Sequence, residues 1–430
     1  MTIRNILWIG LLSAVLTSAL CAQDIAGQWQ GTLKTGAREL RQVVTIAKAT
    51  DGGWNATLFS IDQDFGNGVP INSVTLQGSN LKLTIDRIRG TYEGRISGDR
   101  TSIAGTWTQG RSLPLELKRA TPETAWSDSS PHTIHFMAVD KDVKLEVLDW
   151  GGSGRPLVLL TGLGNTAHVY DEFAEKLTSQ YHVYGITRRG YGASSAPAPT
   201  SVNYLVDRLG DDVLAVLDFL NLNRPILVGH SIAGEELSSV GSRRPEKVAG
   251  LIYLDAGYSY AYYDSSRGDF DIDRIDLQRR LEQLPISWDL QMTQIRELLE
   301  TSLPQFEKGL REQQKRIESA PGPPVVSAQP QPAMLTVEQA IQAGIQKYTD
   351  IRVPILAIYA LPHERGITDP VARAAADASD LSFQGAMAKA FEKGLPSARV
   401  LWLAHADHYV FRSNEADVLR EMNAFLAGLP

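Results

Sequence analysis

Residues 225–237 read Pro-Ile-Leu-Val-Gly-His-Ser-Ile-Ala-Gly-Glu-Glu-Leu. The apolar run before Gly229 has the length of a short buried strand, and a helical pattern begins just after Ser231. A serine on so abrupt a strand-to-helix turn is held in a strained conformation, with its hydroxyl exposed above the sheet. Gly229 and Ala233, two residues to either side, must be small because strand and helix pack closely there. Amides beginning at Ile232 point into the same space and can help hold an anionic oxygen. The pattern is G-x-S-x-G with alanine in its last place and Gly234 following, and alanine still meets the steric demand. The alternative is a buried serine in an ordinary turn.

Working outward, the segments from about residue 133 alternate between strands and helices. HTIHFMAV and VKLEVLDW read as an antiparallel pair. RPLVLLTG, HVYGIT, PILVG, GLIYLDA, VPILAIYA and ARVLWLA are short apolar strands. Helical patterns fall between them at 167–179 and 204–220, and 414–426 closes the chain. Strands of this kind separated by helices predict an α/β architecture with a mostly parallel sheet covered on both faces.

A serine hydroxyl is a poor nucleophile without a base. Of the eight histidines, His408 sits in the loop between the last strand and the last helix, which overhangs the carboxyl ends of the strands. His405 is nearer the strand end and is its rival. His230 adjoins Ser231 and points away from its hydroxyl. His168 follows the RPLVLLTG strand and is placed to line a pocket.

Four segments resemble the α/β-hydrolase superfamily, particularly its exported esterase-like and proline-iminopeptidase-like branches. They are LLTGLGNT, GITRRGYGASS, VGHSIAGEE and AHADHYVF, with Thr161 and Thr187 where histidine and aspartate are usual. The resemblance implies an oxyanion hole from the backbone N–H groups of Leu163 and Ile232. It also implies a triad in the order serine, acid, histidine. The family's acid usually follows the strand that VPILAIYA supplies here, where His363 takes the common aspartate position and Glu364 is next. Glu364 therefore ranks first, ahead of Asp255 at the end of GLIYLDA and Asp369 further along the loop. The long connection 257–352 is read as a helical cap insert, with helices at 273–284, 289–299 and 305–319 and a Pro-rich break at 320–333. Tyr258, Tyr260, Tyr262 and Tyr263 at its start are read as a pocket wall. Glu235 or Glu236 would offer a carboxylate to a cationic substrate, although a helix N-terminus favours acidic residues anyway.

Residues 24–120 are of another kind: alternating apolar runs broken by Gly- and Asn-rich turns, an all-β domain closing as a small barrel or sandwich. Ile25-Ala26-Gly27-Gln28-Trp29 and Ile103-Ala104-Gly105-Thr106-Trp107 form a weak repeat, predicting that first and last strands pair. Trp29, Trp54 and Trp107 are read as its core, with a ligand cavity as the alternative. Residues 121–132 form a linker to the α/β domain, 133–430. At the N-terminus, Arg4, the apolar run 6–20 and the small residues after it predict a signal peptide over 1–22, hence export to the periplasm or exterior. A retained anchor is the alternative; no later segment is apolar enough to span a membrane.

Composition is that of a globular protein, 43% hydrophobic and 21% charged, and the net charge of −7 gives no footprint for nucleic acid. With Cys21 the single cysteine, neither a disulfide nor a thiolate metal cage can form within the chain. No cofactor or metal is expected, since triad chemistry needs none. The expected partner is a small-molecule ester or amide, and the oligomeric state is left open. The leading functional reading is an ester hydrolase. An aminopeptidase or amidase of the same fold comes second, and a non-catalytic binding protein third.

Overall fold

A computed structural model describes residues 25–35, 39–49, 53–61, 64–122, 124–126, 132–285, 287–319 and 335–429. The expected signal peptide, much of the linker and the Pro-rich break lie outside these residues. Among them, no helix is long and apolar enough to cross a membrane.

The first sheet is antiparallel and uses β1 (Gly27–Lys34), β2 (Glu39–Lys48), β3 (Trp54–Ser60), β4 (Asp64–Ile71), β5 (Ser73–Gln77), β6 (Asn80–Ile85), β7 (Gly90–Ile96), β8 (Ser102–Gln109) and β9 (Arg111–Arg119). Its order is β4-β3-β2-β1-β9-β8-β7-β6-β5, a sheet curled nearly into a barrel. Alternate residues point inward, so Val44, Ile46, Leu81, Leu83, Ile103 and Leu117 share one core with Trp29 and Trp107. First and last strands do meet, through Trp29 opposite Arg119. The two Gly-x-Trp strands do not pair, because β9 lies between β1 and β8. Trp29 and Trp107 are core residues and Trp54 packs at its margin.

The second sheet takes β10 (Thr133–Asp140), β11 (Val143–Gly151), β12 (Pro156–Leu160), β13 (His182–Ile186), β14 (Ile226–His230), β15 (Gly250–Leu254), β16 (Ile355–Ala360) and β17 (Ala398–Leu403). Its order is β10-β11-β13-β12-β14-β15-β16-β17, parallel from β13 onward. The central strands β14, β15 and β16 are buried throughout, as continuous apolar runs covered on both faces must be. Helices α1 (Asp171–Leu177), α2 (Val206–Phe219) and α3 (Ala233–Arg243) connect the early strands. Between β15 and β16 come α4 (Phe270–Glu282), α5 (Trp288–Glu297), α6 (Leu303–Ser319) and α7 (Val337–Ala343), the helical insert. Next is α8 (Pro370–Gly394), a long helix with no counterpart in the sequence reading, and α9 (Val410–Ser413) and α10 (Glu415–Ala427) end the chain. Chain order reverses at β12, which pairs with both β13 and β14. Such a switch opens a crevice beyond the strands' carboxyl ends.

Candidate active site

Ser231 sits at that crevice, one residue past β14. Its φ is +56°, the left-handed region rarely taken by a non-glycine residue. The sheet enforces this strain: the Ser231 amide donates to the Leu254 carbonyl, extending the ladder one residue past the strand. Close packing explains the small residues. A Cβ on Gly229 would lie 2.9 Å from the Leu237 side chain, and one on Gly234 would lie 2.0 Å from the Ala256 carbonyl oxygen. The glycine displaced to 234 is therefore a steric necessity in its own right.

The Ser231 hydroxyl lies 2.9 Å from Nε2 of His408. Nδ1 of the same ring lies 2.5 Å from Oδ2 of Asp255. Asp255 is the residue after β15, fully buried, with φ +48° and its amide donating to the Ile358 carbonyl. Its Oδ1 accepts hydrogen bonds from Tyr258 Oη and, at 3.0 Å, from the Ala360 amide. Burial pushes this carboxyl up. Hydrogen bonds from His363 and His408, with their charges, outweigh it and hold Asp255 well below the usual carboxylate range. An ionised Asp255 can only accept, so His408 donates from Nδ1 and its Nε2 faces the serine hydroxyl as an acceptor. Below, Nε2 of buried His230 donates to the His408 carbonyl at 2.9 Å and supports that loop.

The ranking of the acids is thereby corrected. Glu364, placed first, borders the cavity but is engaged elsewhere: one oxygen accepts from the Gly366 amide at 2.7 Å and the other pairs with Arg373 at 2.5 Å. Asp369 caps α8, accepting from the Ala372 amide at 2.7 Å. Asp255 alone of the three meets His408. His405 has φ +57°, is exposed and lies against Arg373, so it is not brought to Ser231.

Leu163 follows Gly162, where an added Cβ would stand 3.2 Å from that of Ser231. Ile232 opens α3. The two expected amides thus flank the serine. A cavity of about 650 Å³ faces it, with Ser231, His408, Tyr258 and Tyr260 in its wall beside Phe383, Gln384 and Met387 of α8. The tyrosine run divides: Tyr263 is buried on Asp273 and Tyr262 packs on Phe391, away from this cavity. Glu235 and Glu236 are also outside the wall. Glu236 clamps Arg188 through two 2.7 Å bonds, and burial, with Glu236 beside it, raises Glu235 well above its ordinary value.

His168 is likewise not in the pocket. It is buried with Nδ1 3.2 Å from Asp171 Oδ2 and Nε2 3.8 Å from Glu146, its ring against His132, which itself lies 3.2 Å from Asp171 Oδ1. These donors are of metal-ligand type, and as they stand they form a buried ion-pair cluster. Burial alone would lower His168, but Asp171 and Glu146 outweigh it and push it up to about 10. A folded value above the unfolded 6.5 stabilises fully below pH 6.5, and that contribution is lost as pH rises through about 10. Thermal denaturation between pH 7 and 11 should show Tm falling on the alkaline side, with a flatter fall in His168→Gln. Parallel curves would contradict this assignment.

Two further residues at the site, His363 and Asp380, carry no role legible in the sequence. The former was visible as a histidine in the acid's usual place. The latter lies on the unread α8, whose Asp369-Pro370 start and alanine-rich run are ordinary helix signals.

The family profile described as Alpha/beta hydrolase family matches residues 157–421, well over half of the chain. Among similar proteins, the fluoroacetate dehalogenase of Burkholderia sp is 33% identical over 116 residues, 26% of this chain and 38% of that protein. Epoxide hydrolase 4 of Mus musculus is 28% identical over 154 residues, 35% of this chain and 43% of that protein. The chain thus spans less than half the length of these relatives. A thermophilic esterase from Thermogutta terrifontis superposes with TM-score 0.44 and 17% identity, covering 69% of this chain and 98% of that one. With its matched profile, its switch-point crevice and the serine turn within it, this chain belongs to the alpha/beta hydrolase family.

Proposed function

We propose that the protein is a serine hydrolase that cleaves a carboxylic ester through an acyl-enzyme on Ser231. The observation carrying this reading is the unbroken hydrogen-bonded path from Ser231 through His408 to Asp255 at the cavity wall. His408 takes the serine proton as the hydroxyl attacks the ester carbonyl, and returns it to the departing alcohol. Asp255 orients the ring and stabilises its charged form without taking the proton. The Leu163 and Ile232 amides hold the oxyanion. A water activated by His408 then releases the acid.

The dehalogenase and epoxide hydrolase names point to chemistry that an aspartate nucleophile would suit, and a serine at 231 argues against both. Glu235 and Glu236, the carboxylates that could have met a cationic group for an aminopeptidase, do not reach the cavity. Export of this activity is supported by the apolar run 6–20. A fluorophosphonate probe should label the wild type and leave Ser231→Ala unlabelled. Folded wild type that resists the probe would sink the proposal. Aryl esters should be turned over faster than aminoacyl anilides; the reverse order would move the reading to an amidase.

A further inference from the structure

Asp255 Oδ2 is shared. Besides His408, it is met at 2.8 Å by Nε2 of His363, whose Nδ1 lies 2.8 Å from Oδ2 of Asp380. Asp380, buried on α8, also accepts from the His363 amide at 2.8 Å, and its Oδ1 accepts from Arg365 at 2.7 Å. The loop after β16 is fastened to the loop after β17 by the His405 amide on the Pro362 carbonyl and the Glu364 amide on the Ala406 carbonyl. His363 therefore has a fixed position, 12% exposed in its side chain, with its ring centroid 6.2 Å from that of His408.

An imidazole with a carboxylate at each nitrogen donates from both, and an imidazole that donates twice is a cation. We propose that His363 is a positioning residue of the site. It is a standing imidazolium that shares Asp255 with His408 and so limits how firmly Asp255 can hold a second proton on the Ser231–His408 pair. This rests on the triad reading above. Burial disfavours the charge on His363, but Asp255 and Asp380 outweigh it and raise the group.

Other charges nearby fit this account. Arg365 meets Asp380, Tyr258 shares Asp255, and Glu364 faces Arg373 instead. Asp269, Asp271 and Asp407 line the same cavity. His363 and His408 thus meet one carboxylate oxygen, and the charge on His363 acts on the coupled site as a whole.

The test follows fluorophosphonate labelling of Ser231 against pH in the full-length protein. Removing the cation in His363→Gln should move the acid limb to higher pH, by on the order of one unit at such a separation. The limb reports the coupled site as a whole. Labelling with an unmoved limb overturns the proposal while sparing the triad. Absent labelling of wild type overturns the triad reading instead. Nitrogen-15 NMR of the wild-type imidazoles decides independently of activity and of any variant. His363 should keep both ring protons above pH 6.5, and in folded Asp380→Asn should lose one at lower pH. A singly protonated His363 at neutral pH in the wild type overturns the proposal outright.

Discussion

Asp255→Asn is expected to lower kcat by about 10⁴-fold, the scale on which a triad loses activity when its histidine is held in the wrong tautomer. The reason lies in the carboxylate's contacts. Oδ2 is the acceptor for Nδ1 of His408, and an asparagine there can present an N–H instead. The ring would then turn its proton toward Ser231 and could no longer accept the hydroxyl proton. Glu364→Gln and Asp369→Asn should stay within about fivefold of wild type, since one loses a half-exposed ion pair and the other keeps a capping oxygen. Steady-state kinetics on one ester, with circular dichroism to confirm folding, checks all three. If Glu364→Gln collapses while Asp255→Asn works, the acid has been misassigned.

The second large effect is on stability. Arg188 is almost wholly buried, bonded to both oxygens of Glu236 and, at 2.7 Å, to the Thr161 carbonyl. Glu236→Ala leaves the guanidinium buried without its counter-charge. Breaking such a pair from one side costs about 3–5 kcal/mol. For a domain of this size, Tm should fall by roughly 10 °C. Replacing both partners, Arg188→Met with Glu236→Leu, should recover much of that loss, because the desolvated charge is gone. Activity should not recover equally, since Arg188 also fixes the carbonyl just before Gly162 and Leu163. Differential scanning calorimetry and ester kinetics on both variants separate the two effects. A single variant as stable as wild type would show that Glu236 does not neutralise Arg188.

What could be read from the sequence was local. The turn at Ser231 declares itself within a dozen residues, because strand, small residues and helix are contiguous. His408 can be placed near the serine from the sequence because a loop after the last strand can only overhang one end of the sheet. The acid was harder. Asp255, Glu364 and Asp369 all follow strands of one parallel sheet. The choice among them rests on a left-handed corner at 255 and on two loops fastened together, neither of which has a sequence signature. His363 has no legible role in the sequence for the same reason: its meaning depends on Asp380, seventeen residues away on α8. In the β-rich domain the Gly-x-Trp likeness suggested pairing, but hairpin succession placed β9 between those strands.

Ser231, Asp255 and His408 all stand at the tips of sheet strands or in the loop beyond, and none comes from the helical insert. The insert instead supplies wall, with Asp271 and Ile272 of α4 facing the cavity. The insert thus shapes part of the wall and also touches the triad, through the Tyr258 hydroxyl on Asp255. Rebuilding α4 can change what the cavity admits without replacing any residue of the path from Ser231 through His408 to Asp255.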